Sequence, residues 1–113
     1  SPDQAVIDAY RADPLVHRYV SARLARFIAD AGPATVAKAS EWTVPTLLMW
    51  AGQDKFVAPA GSSAFAAKAP ADVVRSREFG DLYHEIFNEL HAEPVYAELL
   101  AWLDARFPAQ PRC

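Results

Sequence analysis

A chain of 113 residues with 52% hydrophobic content suits one domain with a modest core. Its 11 basic and 14 acidic residues leave a net charge of −3, which invites neither nucleic acid nor an anionic membrane surface. No apolar run reaches the roughly 18 residues a membrane span needs, SPDQAVIDAY lacks the basic and apolar segments of a signal peptide, and the single cysteine, Cys113, excludes an intrachain disulfide and a cysteine-based metal site.

In chain order, AVIDAY can form one or two helical turns, which Asp13-Pro14 then breaks, because the residue before proline avoids the α region. From about Arg18 the pattern is strongly periodic. Val20, Leu24, Phe27, Ile28 and Ala31 share one helix face, with Arg18, Arg23 and Arg26 on a solvated face opposite. Gly32-Pro33 is expected to close this helix, and a short helical piece should follow through Val36 and Lys38.

The period then changes. TLLMWAG, after Pro45, is a continuous apolar run bounded by proline and glycine, the pattern of a short strand buried on both faces of a parallel sheet. The loop GQDKFVAPAG leads to a helix through Phe65 to about Ala69, capped by Ser62 or Ser63 and ended by Pro70. Val73 to Phe79 reads as a second strand whose charges suit a sheet edge. After the loop GDLYHE, Glu93 to Phe107 is an amphipathic helix with a stripe of Val95, Tyr96, Leu99, Leu100, Leu103 and Phe107. The fold class is therefore α/β: helices, then β-α-β-α, with a parallel crossover. No repeats or low-complexity tracts occur.

The segment LYHEIFNE places His84 where it could be a packed imidazole, a metal ligand or a base. Its position narrows the choice. Ligands and catalytic groups gather beyond the C-terminal ends of strands in open α/β sheets. Asp54 follows the first strand and His84 the second, so adjacent parallel strands would bring them together. A carboxylate bound to imidazole fixes the tautomer and stabilises the imidazolium, which is what a general base needs. Taken alone, Asp54 is a turn residue capping its loop. Catalysis requires Asp54 within hydrogen-bond reach of one His84 nitrogen, with the other facing an open cleft. His17 and His91 lack an acid at a telling spacing and read as surface or structural. No two of the three histidines form an i, i+4 pair, so neither metal nor cofactor is expected.

VPTLLMWAGQDKFVAPAGS, LYHEIFNE and the helix ending AWLDARF together resemble the C-terminal half of an α/β-hydrolase. More narrowly, they resemble the monoacylglycerol lipase and lysophospholipase family, which includes the serine aminopeptidase-like α/β-hydrolases. The resemblance implies that Asp54 is the triad acid and His84 the triad base. It implies that residues 1–40, with DPLVH and the helix after it, are the C-terminal part of a helical cap, and that residues 41–113 are the C-terminal portion of the hydrolase core, its last two parallel strands with flanking helices. Asp81 stands where members often have glycine, and Trp50 where they often have histidine or glutamine nearby, which blurs the substrate more than the triad.

The family nucleophile, a serine in G-x-S-x-G ahead of the acid and base, has no counterpart here. GSSAF, Gly61 to Phe65, lacks the second glycine and follows Asp54, so its serines read as caps. The expectation is the C-terminal piece of a larger serine ester hydrolase acting on monoacylglycerol or lysophospholipid, inactive by itself, in a bacterial cytoplasm with peripheral membrane contact through the cap. Leu15, Val16 and Phe27 could face an acyl chain, although core packing is the first reading of Phe27. Trp50, Phe56 and Tyr83 flank the site, and Glu85 could hold the His84 loop. Two parallel strands do not make a stable sheet, so Leu47 to Trp50 should lie at a bare edge or pair with another chain or the rest of the enzyme. The rival readings are a non-catalytic α/β interaction module and an α/β-hydrolase with an aspartate nucleophile.

Overall fold

The computed structural model describes residues 2–17 and 19–108. The expectations for Arg18 and Cys113 lie outside them. Six principal elements follow one another: α1 (Gln4–Ala12), α2 (Ala22–Ala37), β1 (Thr46–Ala51), α3 (Pro59–Lys68), β2 (Val74–Phe79) and α4 (Glu93–Arg106). Short 3-10 turns at Ala39–Glu41 and Ile86–Asn88 precede β1 and α4.

Local chemistry sets most boundaries. The Asp3 carboxylate accepts the Ala5 N–H at 2.9 Å to cap α1, which stops before Asp13-Pro14. The Ser21 hydroxyl accepts the Leu24 N–H at 3.1 Å to open α2. That helix does not end at Gly32-Pro33; it runs through both to Ala37. The proline forfeits one backbone donor, while the end of the helix gains the packing of Val36 against Ala39, Phe65 and Val74. Tertiary contact outweighs the local stop signal here.

Ser62 and Ser63 do not cap α3. The helix starts three residues earlier, with Pro59 in its first turn, and Ala58 at the cap offers no side-chain acceptor. Proline at this place is favoured because its missing N–H would be unsatisfied anyway. The helix ends at Lys68, with Ala69 extended ahead of Pro70.

β1 and β2 pair in parallel, from Thr46 opposite Val74 to Ala51 opposite Phe79. The other edge of β1 has no partner among the described residues. Strand alternation then sorts the side chains. Leu48 and Val74 face α3 and meet Phe65, Ala39 and Trp42. Met49, Ala51 and Phe79 face the opposite side and meet Ile86, Leu82 and Val95 of α4. The sheet is thus a thin layer between two small apolar clusters, and Val95 is the most deeply buried large side chain.

Two helical faces differ from the amphipathic reading. On α2, Phe27 is 66% exposed and Ile28 60%, so Phe27 is not a core residue within this chain. Only the end of α2 reaches the core. On α4, Leu100 and Phe107 of the expected stripe are exposed, while Glu98 is buried. The reason lies across the helix, on β2. Arg75 Nε donates to Glu98 Oε1 at 2.6 Å and Arg77 Nη1 donates to Oε2 at 3.0 Å. Arg75 and Arg77 point to the α4 side of the sheet, so the helix turns a carboxylate inward to meet them.

Candidate active site

The two loops leaving the parallel strands touch. Gly52 N–H donates to the Phe79 carbonyl at 2.8 Å, and Gln53 N–H donates to the Leu82 carbonyl at 3.0 Å. The Gln53 side-chain amide donates to the Gly80 carbonyl at 3.3 Å. These bonds extend the pairing beyond the last ladder residue and carry Asp54 towards His84.

Asp54 divides its carboxylate between two tasks. Oδ1 accepts the N–H groups of Phe56 and Val57 at 2.8 and 2.9 Å, which shapes the turn into α3. Oδ2 lies 2.7 Å from His84 Nδ1, across 30 residues of sequence. Loop capping and histidine pairing, alternatives in the sequence, coexist in one side chain. An ionised carboxylate only accepts, so the short contact places a proton on Nδ1; in the neutral ring Nε2 is then the nitrogen that carries the lone pair.

Burial pushes the Asp54 carboxyl up, but the Val57 N–H, His84 and the Phe56 N–H outweigh it and hold the group below the usual range. The Asp54 side chain is only 10% exposed, against 44% for His84. The carboxylate is therefore sheltered and the imidazole accessible. Both line an open cleft of about 510 Å³ whose apolar wall includes Met49, Val57 and Phe87. The Phe56 ring is tilted against the imidazole at 5.5 Å between centroids and is itself largely exposed. Trp50 also lines the cleft, and its indole N–H is buried with no hydrogen-bond partner among the described residues.

Other sequence candidates fall elsewhere. Ser62 and Ser63 are half-buried inside α3. His17 donates to the Tyr19 carbonyl at 2.9 Å on the surface, and His91 is exposed. Glu85 accepts from the Asn88 side chain at 3.0 Å, so it does brace the His84 loop. Glu89 was not singled out by the sequence, yet its carboxylate accepts the Tyr83 N–H at 3.0 Å, next to His84. No local pattern announces that bond, because it depends on how the loop folds back. Among the described residues no cluster of His, Asp and Glu could hold a metal ion, and no helix is long and apolar enough to cross a membrane.

A parallel sheet with an acid beyond one strand and a histidine beyond its neighbour has the architecture of the α/β-hydrolase class. The chain belongs to the serine aminopeptidase S33 family of hydrolases (Hydrolase_4), whose profile matches residues 1–91. It is 31% identical over 104 residues to a monoacylglycerol lipase of Mycolicibacterium smegmatis, covering 91% of this chain and 37% of that one. It is 34% identical over 103 residues to phospholipase YtpA of Bacillus subtilis, covering 90% and 40%. An uncharacterised abhydrolase domain-containing protein of Dictyostelium discoideum is 30% identical over 107 residues, covering 94% of this chain and 11% of that protein. The crystal structure of a monoacylglycerol lipase from Paleococcus ferrophilus superposes with a TM-score of 0.84 at 26% identity, over 92% of this chain and 41% of that one. The chain thus spans about two fifths or less of the length of these relatives.

Proposed function

We propose that this chain carries the acid and base of a serine ester hydrolase acting on mono-acyl lipids, with Asp54 as the acid and His84 as the base. The observation that carries the proposal is the 2.7 Å contact between Asp54 Oδ2 and His84 Nδ1. It leaves Nε2, the nitrogen that must move protons, available at an accessible imidazole in a cleft.

In this reading the nucleophilic serine comes from the rest of the enzyme. As its oxygen attacks the ester carbonyl, His84 Nε2 takes the hydroxyl proton and Asp54 stabilises the imidazolium. The proton then passes to the departing alcohol, leaving an acyl-serine. His84 next takes a proton from water, which attacks the acyl carbonyl, and returns it to the serine as the fatty acid leaves. The similarity to a monoacylglycerol lipase and to a phospholipase favours a lipid ester over a peptide.

Residues 1–40 are proposed as part of a cap and residues 41–113 as part of the hydrolase core. The exposed apolar face of α2, with Leu24, Phe27 and Ile28, suits a cap that covers an acyl chain and could touch a membrane surface. The free edge of β1 suits pairing with further strands of the enzyme.

The test is hydrolysis of monoacylglycerol and lysophospholipid by the intact enzyme and its His84→Ala variant. The variant is expected to lose several orders of magnitude in kcat with KM little changed. An intact His84→Ala enzyme that kept its rate would end the assignment, and hydrolysis of neither lipid would end the substrate reading.

A further inference from the structure

We infer that Glu89 is a positioning residue that holds His84 in register with Asp54. The inference rests on the reading of His84 as the base and adds the group that sets its geometry.

The segment from Tyr83 to Glu89 closes on itself around His84. Its middle is pinned by Ile86, which is 7% exposed and packs with Ala51, Phe79 and Val95. The Asn88 N–H donates to the Glu85 carbonyl at 2.8 Å, and the Asn88 side-chain amide donates to Glu85 Oε2 at 3.0 Å. Glu89 then reaches back six residues, and its Oε1 accepts the Tyr83 N–H at 3.0 Å. That amide lies in the Leu82–Tyr83 peptide, so the bond fixes the peptide plane one residue ahead of the one that carries the imidazole. The carbonyl of that same peptide, from Leu82, accepts Gln53 N–H at 3.0 Å. The peptide that leads into the base is therefore clamped at both ends, its carbonyl by the acid's own loop and its N–H by Glu89.

The need for the second clamp follows from exposure. The His84 side chain is 44% exposed, so packing alone leaves the ring room to turn. A hydrogen bond of 2.7 Å is lost if its ends separate by about one ångström, and misplacement on that scale costs catalysis on the order of a hundredfold. A carboxylate suits the clamp because an ionised acceptor makes the stronger bond to a backbone N–H. An amide at the same place could still accept, whereas a thioether of similar length could not do so effectively.

The experiment compares Glu89→Gln, Glu89→Met and Asp54→Asn in the intact protein labelled with 15N-histidine. The nitrogen shifts of His84 report which ring atom carries the proton, and kcat and KM for lipid-ester hydrolysis are measured alongside. Wild type and Glu89→Gln are expected to show the proton on Nδ1, with Glu89→Gln within a few-fold of wild-type kcat. Glu89→Met is expected to show mixed tautomers and a kcat lower by about a hundredfold, with KM nearly unchanged. A Glu89→Met protein with the wild-type tautomer and kcat overturns the inference, even if its melting temperature falls. Equal tautomer and kcat losses in Glu89→Gln and Glu89→Met overturn it too, since the accepting oxygen would not be what matters. Asp54→Asn separates the two levels: if it leaves the His84 tautomer unchanged, the acid–base reading itself fails, whatever Glu89 does.

Discussion

A methyl group built on Gly52 would lie 2.7 Å from both the Cα and the carbonyl oxygen of Gly80. The loop that carries Asp54 and the loop that carries His84 cross here, backbone against backbone. Neither partner is a flexible side chain that could move aside. The approach lets Gly52 N–H reach the Phe79 carbonyl and places the two loops in bonding register.

Gly52→Ala is therefore expected to destabilise the fold by about 1–3 kcal/mol, as overpacking does, and to lengthen the Asp54–His84 contact. Gly80→Ala should be close to neutral, because nothing lies within 4 Å of a Cβ built there. Thermal melts of the two variants check this asymmetry. Equal losses would mean that the crossing is not the constraint.

Asp54→Asn removes the acceptor that His84 Nδ1–H needs, while the amide oxygen can still cap the turn through Phe56 and Val57. The variant should fold, and the intact enzyme should lose kcat on the order of a thousandfold or more, because an amide NH2 facing Nδ1 favours the tautomer with the proton on Nε2. Steady-state kinetics alongside a melting curve separate this from simple unfolding.

Glu98 is buried, with its side chain 6% exposed, whereas Arg75 and Arg77 are 60% and 51% exposed. This difference predicts unequal mutations. Removing the carboxylate in Glu98→Ala leaves two arginines that water can still solvate, at a cost of about 2–3 kcal/mol in lost charged hydrogen bonds. Removing both arginines strands a buried carboxylate and should cost about 3–5 kcal/mol. Chemical denaturation of the two proteins tests the order, and the reverse order would show that the arginines are dispensable.

Asp54 and Glu98 both hold their protons more weakly in the folded chain than an ordinary carboxyl does. For Glu98 the Arg75 hydrogen bond is the largest cause, opposed by burial and reinforced by Arg77. A depressed folded value means that the ionised form favours folding. The stabilisation is complete above the unfolded values, near about 3.9 for Asp and 4.3 for Glu, and is lost as pH falls through the lower folded values. Denaturation midpoints measured downward from neutral pH should fall in that acidic window. Glu98→Gln should flatten the slope, since its amide does not titrate.

Pro33 sits inside α2, where it removes a backbone donor and crowds the carbonyl four residues earlier. Pro33→Ala is expected to raise stability by about 1–3 kcal/mol and to increase the helical circular dichroism signal. An unchanged or lowered melting temperature would show that the ring makes compensating contacts.

Much of this was legible in the chain itself, for identifiable reasons. Pro45 and Gly52 bracket an apolar run, and that contrast marks β1 without tertiary help. Asp54 and His84 stand just past the two strands, so their meeting follows from parallel topology. The stop signal Gly32-Pro33 misled, because the packing of Val36 repaid a local penalty that no window of sequence records. Ser62 and Ser63 misled because Pro59 opens the helix earlier and makes their hydroxyls unnecessary as caps. Glu98 escaped notice because its partners lie on another element, 21 and 23 residues away.

By itself, the order of residues determined the β-α-β-α succession and which two residues leave the strand ends. These follow from periodicity, proline and glycine, which act over a few residues. Tertiary structure alone decided that one Asp54 oxygen caps a turn while the other orients His84, that Glu89 folds back onto Tyr83, and that Gly52 must have no side chain. Each of those depends on two loops separated by a helix and a strand coming within bonding distance, a condition that the fold imposes and local sequence does not encode.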